Sequence, residues 1–355
     1  MGTVRRIQRI GEMGDCWIGK RPAQQTGSEG MSKRMFGAAA ILAIACLAAT
    51  FGGLTPAFAG LGQPTDGELG LQLSASPIMD QITSLYDIVN TVLIIVVLFV
   101  LTLMVWVMYR FSEKKNPVPS RTTHNTMLEV AWTIVPILIL VSIAIPSFHL
   151  LFNQYAFPKP DVTIKVTGNA WFWENEYLDD KVTVTSNMVN DEDVLRAKIG
   201  DDAFDKKYGS LEGTALTEAL YKDSLPVWSE DHKLRRLEVD QQIAVPINKV
   251  VDVLVTSNDV IHSWTVPSFG VKMQAVPGRT SAVWFKATKL GTFRGQCSVL
   301  CGKLHSAMPI VVRVVDQPVY DAWMAALKAK DRKKAQKILD DDAAAHANQS
   351  VAAAE

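Results

Sequence analysis

Cysteine and histidine are scarce: the 355 residues include only four cysteines and six histidines. No CxxCH occurs, so the chain carries no covalently attached haem of its own. Charge of one sign is also lacking, with 36 Lys and Arg against 36 Asp and Glu, and there is no polybasic tract. Nothing therefore points to nucleic acid as a partner. What is plentiful is apolar surface, at 48% of residues, and some of it should sit in lipid.

The first 30 residues have basic residues and glycines without apolar periodicity, and read as a tail or a misplaced start. From Met31 the pattern changes. Lys33 and Arg34 precede the apolar run Met35 to Leu54, and Pro56-Ala57-Phe58-Ala59 forms an A-x-A cleavage pattern before Gly60. Residues 1–59 thus read as a leader with a signal peptide, and 60–84 as an exported N-terminal segment. A retained anchor is the competing reading. A lipoprotein cut before Cys46 is disfavoured by alanine at position 43. Cleavage after Ala59 removes Cys16 and Cys46, leaving Cys297 and Cys301 alone.

Two uncharged stretches follow, Ile88 to Tyr109 and Val130 to Phe148, of 22 and 19 residues. At about 1.5 Å rise per residue each matches a hydrocarbon core of roughly 30 Å. They predict transmembrane helices over 85–111 and 128–150, the second kinked by Pro136 and Pro146. The connecting loop, 112–127, is flanked by Arg110 and contains Lys114, Lys115 and Arg121, which places it in the cytoplasm. Both outer ends then face the exported side. Glu129 opens the second span, where the choice is between a solvated interfacial acid and a functional one.

Beyond Pro158 the texture becomes β. Short β-branched runs at Val162 to Thr167, Lys181 to Thr185, Leu234 to Val239, Val250 to Thr256, Ala282 to Ala287 and Pro309 to Val315 predict a Greek-key sandwich or small barrel over 160–316. Ser186 to Asp231 interrupts it with eleven acids and five bases, a surface insertion expected to hold one or two helices. Such an acidic lobe either steers a cationic partner or is a solvated loop. Trp171-Phe172-Trp173, with Glu174, Glu176, Asp179 and Asp180 nearby, is either a docking patch on an electron path or a half-buried core strand. The tail, 317–355, starts as an amphipathic helix and is expected to end in disorder after Asp340-Asp341-Asp342.

The densest chemistry lies in GQCSVLCGKLHSAMPIVV, Gly295 to Val312. Cys297, Cys301, His305 and Met308 gather two thiolates, an imidazole and a thioether, donors that favour copper. A mononuclear blue-copper site uses one cysteine and two histidines. Here two cysteines are joined by His305 and by His262, which follows the strand Val250 to Thr256. Two thiolates shared by two coppers give each metal one histidine, with Met308 on one and a backbone carbonyl on the other. The competitors are a Cys297–Cys301 disulfide and a closed zinc site, in which Met308 would have no task.

Taken together, the helix hairpin, the WFW run, the stretch LEVDQQIAVPINKVVDVLVTSNDVIHSWTVPSFGVKMQAVPGR and the cysteine loop resemble subunit II of bacterial cytochrome c oxidase, over about Ser84 to Asp316. The resemblance implies a membrane-anchored, mainly-β chain: a two-helix hairpin carrying a cupredoxin domain with the binuclear copper centre CuA, in the bacterial inner membrane with the copper domain in the periplasm. It implies His262, Cys297, Cys301, His305, Met308 and the Val299 main-chain carbonyl as copper ligands. Trp171 matches the tryptophan where electrons enter, and Glu176 and Asp259 fall among the acids that meet cytochrome c. Glu129 matches a glutamate at the mouth of a proton pathway. The implied partners are cytochrome c, the haem-bearing subunit I and subunit III, and the implied activity is dioxygen reduction coupled to proton pumping.

The chain departs from the family at two positions. Val299 stands where the family usually has glutamate, and Gln274 where it commonly has aspartate. Valine keeps the carbonyl ligand but lacks the carboxylate that helps hold magnesium or manganese at the subunit I boundary, which puts that ion in doubt. A copper-delivery protein using CxxxC plus histidine is the alternative function. A quinol oxidase subunit would lack the copper ligands, and the copper domain of nitrous oxide reductase would lack the hairpin.

Overall fold

The computed structural model describes residues 60–118, 120–230 and 233–352. The expected leader 1–59, with its cut after Ala59, lies outside the described residues.

Two long apolar helices come first, α1 (Pro77–Arg110) and α2 (Thr126–Tyr155). Ser76 caps α1 by accepting from the Met79 amide, with Pro77 in the first turn, and Asn125 caps α2 in the same way through Leu128. Their 34 and 30 residues exceed the predicted spans because both continue past the lipid toward the β domain. Ile78 and Met79 of α1 are buried there, and the Gln154 carbonyl of α2 accepts from Trp284 Nε1 at 3.1 Å. Asn153 Nδ2 donates to Gln81 Oε1 at 2.9 Å and ties the two helices together.

The β domain opens with β1 (Val162–Asn169), β2 (Phe172–Tyr177) and β3 (Val182–Ser186). After the insertion come β4 (Ile243–Pro246), β5 (Val250–Ser257), β6 (His262–Val266), β7 (Val271–Ala275), β8 (Ser281–Lys286), β9 (Gly291–Gln296) and β10 (Pro309–Val315). One sheet runs β3-β2-β1-β5-β8, a second β4-β10-β9, and β6 pairs with β7. Two adjacent pairs, β1 with β5 and β10 with β4, are parallel, so this is a mixed-sheet Greek-key sandwich.

Alternation along β5 puts Val251, Val253 and Val255 inside, facing Val312, Val314 and Phe293 across the core. Tyr177 pins the sheets together, its hydroxyl donating to the Ala244 carbonyl at 2.7 Å. Phe269 stacks on Phe285 and Phe293 with centroids 4.5 and 4.7 Å apart. Gly62, at φ +74, brings the segment before α1 against β9, where the Arg294 amide donates to its carbonyl at 2.7 Å.

Three expectations are corrected. The insertion forms three helices, α3 (Asp191–Ile199), α4 (Asp201–Tyr208) and α5 (Gly213–Glu230), around a small core of Val194, Leu195, Phe204, Tyr208, Val227 and Trp228. Leu234 to Val239 is no strand: Arg236 sits at φ 67, and only Val239 makes an isolated bridge, to Met188. The tail is two helices, α6 (Gln317–Lys328) and α7 (Arg332–Ala352), and α7 takes in the acidic run. Asp342 pairs with the buried Arg313 at 3.2 Å, and Trp323, Ala335 and Leu339 join the core. A buried guanidinium needs that carboxylate, so the run stays ordered through Asp342.

Candidate metal centre

The centre is built from two elements that the chain separates. His262 begins β6, and the loop between β9 and β10 carries the cysteines, His305 and Met308. They meet because β6 and β9 touch at Gly295, where a side-chain carbon would lie 1.9 Å from the Thr265 carbonyl oxygen. Gly168 of β1 likewise leaves room for the His262 ring, 2.7 Å from where its Cβ would be. Glycine is required at both close approaches.

Cys297 and Cys301 are buried free thiols with sulfurs 3.8 Å apart, well beyond the roughly 2.05 Å of a disulfide. Ligand atoms of His262, Cys297 and Cys301 all lie within 4.8 Å of one another. Cys301 Sγ is 3.5 Å from His305 Nδ1 and 3.6 Å from Met308 Sδ. The Cys297 thiol points at the Val299 carbonyl at 3.3 Å, so that oxygen turns toward the sulfurs. His262 thus meets the two cysteines, and the Val299 carbonyl, His305 and Met308 each lie against one of the two sulfurs.

The chemistry of the donors fits copper. His262 is wholly buried, its Nε2 lies 2.8 Å from Asp259 Oδ1, and its Nδ1 has no partner. A buried ring nitrogen without a hydrogen-bond partner among the described residues, on a histidine beside two sulfurs, is costly unless it ligates something. Burial, together with the neighbouring Cys297, pushes the Cys301 thiol up to about 12. A bound cation would favour the Cys301 thiolate. Two sulfurs, two imidazoles and a thioether suit a soft metal, and the buried Met308 sets its sulfur 3.6 Å from Cys301 while packing in the core.

Each arm of the loop has an anchor that the sequence did not reveal. Ser298 Oγ meets Ser263 Oγ at 3.0 Å and Thr265 Oγ1 at 2.7 Å, fixing the Cys297 arm to β6. The Cys297 amide donates to the Met308 carbonyl at 3.0 Å, closing the loop on itself. Trp173, fully buried, donates from Nε1 to the same carbonyl at 3.4 Å and sets its ring edge to His262, centroids 5.8 Å apart. The alternation Ser263-x-Thr265 was the available signal for the first anchor; Trp173 carried none beyond its size.

Trp171 precedes β2 and is half-buried, its Nε1 donating to the Cys301 carbonyl at 3.3 Å. The WFW run thus divides into a core residue, Trp173, and a partly exposed one beside the cysteines. The acids named with this run are held by different partners. Glu176 lies on the outer sheet face 3.9 Å from Lys165, five strand positions along, roughly 17 Å. Asp179 accepts from the Thr163 amide, and Asp180 pairs with Lys328. Asp259 does lie at the centre, holding His262 and accepting from the Ala170 amide at 2.5 Å. Burial pushes its carboxyl upward, but hydrogen bonds from His262, Val260 and Ala170 outweigh this and hold it below the usual range. Glu129 stands apart, half-exposed in the first turn of α2.

The sequence matches two family descriptions, the cytochrome c oxidase subunit II transmembrane domain over residues 64–150 and its periplasmic domain over 208–315. Cytochrome c oxidase subunit 2 of Cereibacter sphaeroides is 45% identical over 264 residues, which cover 74% of this chain and 82% of that one. The subunit 2 of Arabidopsis thaliana is 38% identical, over 73% of this chain and 88% of its own. Among solved structures, the periplasmic domain of subunit II of cytochrome oxidase of Bradyrhizobium japonicum is 38% identical with a TM-score of 0.36, covering 49% of this chain and 97% of that one. The chain belongs to the cytochrome c oxidase subunit II family.

Proposed function

We propose that this chain receives single electrons from a c-type cytochrome beside Trp171 and passes them, through a copper pair held by its β9–β10 loop, toward haem in subunit I. The observation that carries the reading is the buried set of donors around Cys297 and Cys301, with His262 Nδ1 left free to ligate. Cys297, Cys301, His262, His305, Met308 and the Val299 carbonyl would hold the metals. Copper bound there would supply one-electron redox chemistry, and the chain's part would be to keep its donors fixed in both redox states.

The protein's part is to fix those donors. Asp259 orients His262, Trp173 holds Met308 and His262 in register, and Trp171 reaches from the surface to the Cys301 carbonyl. Burial of His262 and Met308 disfavours a copper-delivery role, which needs ligands a recipient can reach. Glu129, at the cytoplasmic end of α2, is assigned to the mouth of a proton pathway shared with subunit I. Val299 offers no carboxylate to a boundary magnesium or manganese, so that ion is not held from this position. Subunit III enters through the resemblance alone.

The test is rapid mixing of the assembled oxidase with reduced cytochrome c. Trp171→Phe, which removes the N–H to Cys301, should slow reduction of the centre while leaving its optical spectrum intact. Undiminished electron uptake by Trp171→Phe and Trp171→Ala together would contradict the assigned route.

A further inference from the structure

The arms bearing Cys297, Cys301 and Met308 are anchored by residues of β6 and of the WFW run, whereas the arm bearing His305 is anchored from the segment that follows the insertion. His305 to Ala307 is a single 3-10 turn, half-exposed, and short turns of this kind have poor internal hydrogen bonds. Arg236 reaches it from outside, Nη1 donating to Ser306 Oγ at 2.9 Å.

Arg236 is placed by what flanks it. Its neighbour Arg235 points the other way, into the insertion, donating to both oxygens of Asp191 at 2.6 to 3.1 Å and lying 4.7 Å over the Tyr221 ring. Asp191 also accepts from Ser224 and Trp228, each at 2.9 Å, so it belongs to the insertion's core. On the other side Glu238 accepts from Arg294 of β9, and the Leu237 amide closes the turn on the Leu234 carbonyl at 2.9 Å. The turn is held at both ends, and Arg236 stands between them at φ 67, a conformation L-residues seldom adopt.

We propose that Arg236 is a positioning residue for the copper ligand His305, held in place by the helical insertion through Arg235 and Asp191. The proposal rests on the metal-centre reading above. Part of the insertion's charge is spent internally: Lys198 pairs with Glu230, Lys207 with Asp223, and Arg196 with Glu192, Asp201 and Asp205. What reaches the centre's edge from the segment after the insertion is one hydrogen bond to Ser306, the residue next to His305, and the positive charge that makes it. A cation there disfavours the oxidised, more positive state of the centre and raises its midpoint potential.

The experiment uses the full chain in the assembled oxidase, with Arg236→Ala, Arg236→Gly, Arg236→Lys and Asp191→Asn. The readouts are copper hyperfine splitting by electron paramagnetic resonance, the midpoint potential, and the rate of copper loss to a chelator. Arg236→Ala and Arg236→Gly should lose copper about two- to tenfold faster, the range that one hydrogen bond supports, with a lower potential and altered splitting. Arg236→Lys should restore the potential. Arg236→Gly relieves the backbone, so copper changes without loss of thermal stability separate positioning from folding. Asp191→Asn should shift the same readouts in the same direction by less. Wild-type splitting, potential and copper loss in both Arg236→Ala and Arg236→Gly would overturn the proposal. A wild-type chain without a two-copper signal would instead overturn the metal-centre reading.

Discussion

His262 and Asp259 form one unit in which the carboxylate sits 2.8 Å from Nε2 and leaves Nδ1 without a hydrogen-bond partner among the described residues. Removing such an outer partner of a metal-binding histidine typically costs about 10- to 100-fold in metal affinity. Asp259→Ala should therefore lose copper at least about tenfold faster than wild type in a chelator competition. Asp259→Asn, which still accepts a hydrogen bond, should lose less. If Asp259 acted only in docking, both variants would keep copper normally and change only the salt dependence of cytochrome c turnover.

Tyr177 joins the two sheets, and its hydroxyl both donates to the Ala244 carbonyl and accepts from the Ala244 amide. Tyr177→Phe leaves both backbone groups buried without that partner, which costs about 1–3 kcal/mol. Chemical denaturation of the full chain should show the loss with little change in copper binding.

Arg313 and Asp342 are each almost fully buried, and burial lowers the affinity of the guanidinium for its proton. Removing one partner strands the other charge, so Asp342→Ala should destabilise by about 3–5 kcal/mol and release α7 from β10. Replacing both, with Arg313→Met and Asp342→Leu, should recover most of the loss. Thermal unfolding and hydrogen exchange across Arg332–Ala352 report both outcomes.

Asp191 governs how the insertion responds to acid. Burial pushes its carboxyl upward, but hydrogen bonds from Arg235, Trp228 and Ser224 outweigh this and hold it below its ordinary value of 3.8. A carboxylate held low in the folded state stabilises above its unfolded value and loses that contribution as pH falls through the folded one. Protection of amides in α3 to α5, relative to the exchange rate of an unstructured chain at the same pH, should therefore fall as pH drops below about 4. Asp191→Asn should exchange faster at neutral pH and lose that dependence.

The cluster of candidate donors was legible in the sequence because soft side chains at close spacing have few other uses, and the membrane helices because length and the absence of charge determine them. His262 was legible as a candidate, but its partner Asp259 was not assigned to it, since only the fold decides whether a carboxylate three residues away turns inward. The strands at Ile243–Pro246, His262–Val266 and Gly291–Gln296 escaped notice, being short or rich in glycine and polar residues. Leu234 to Val239 has strand-like ends, yet Arg235 and Arg236 are each drawn to a different partner, which breaks the period of two. Asp340 to Asp342 reads as a solvated tail until Arg313, buried on a distant strand, supplies the cation.

The proposed ligation of a copper pair by two cysteines, two histidines and a methionine can be read from low-temperature electron paramagnetic resonance with metal analysis on the copper-loaded full chain. One unpaired electron shared by two equivalent copper nuclei gives a seven-line pattern, and that pattern is expected with about two coppers per chain. A four-line mononuclear pattern, or zinc in place of copper, would contradict it.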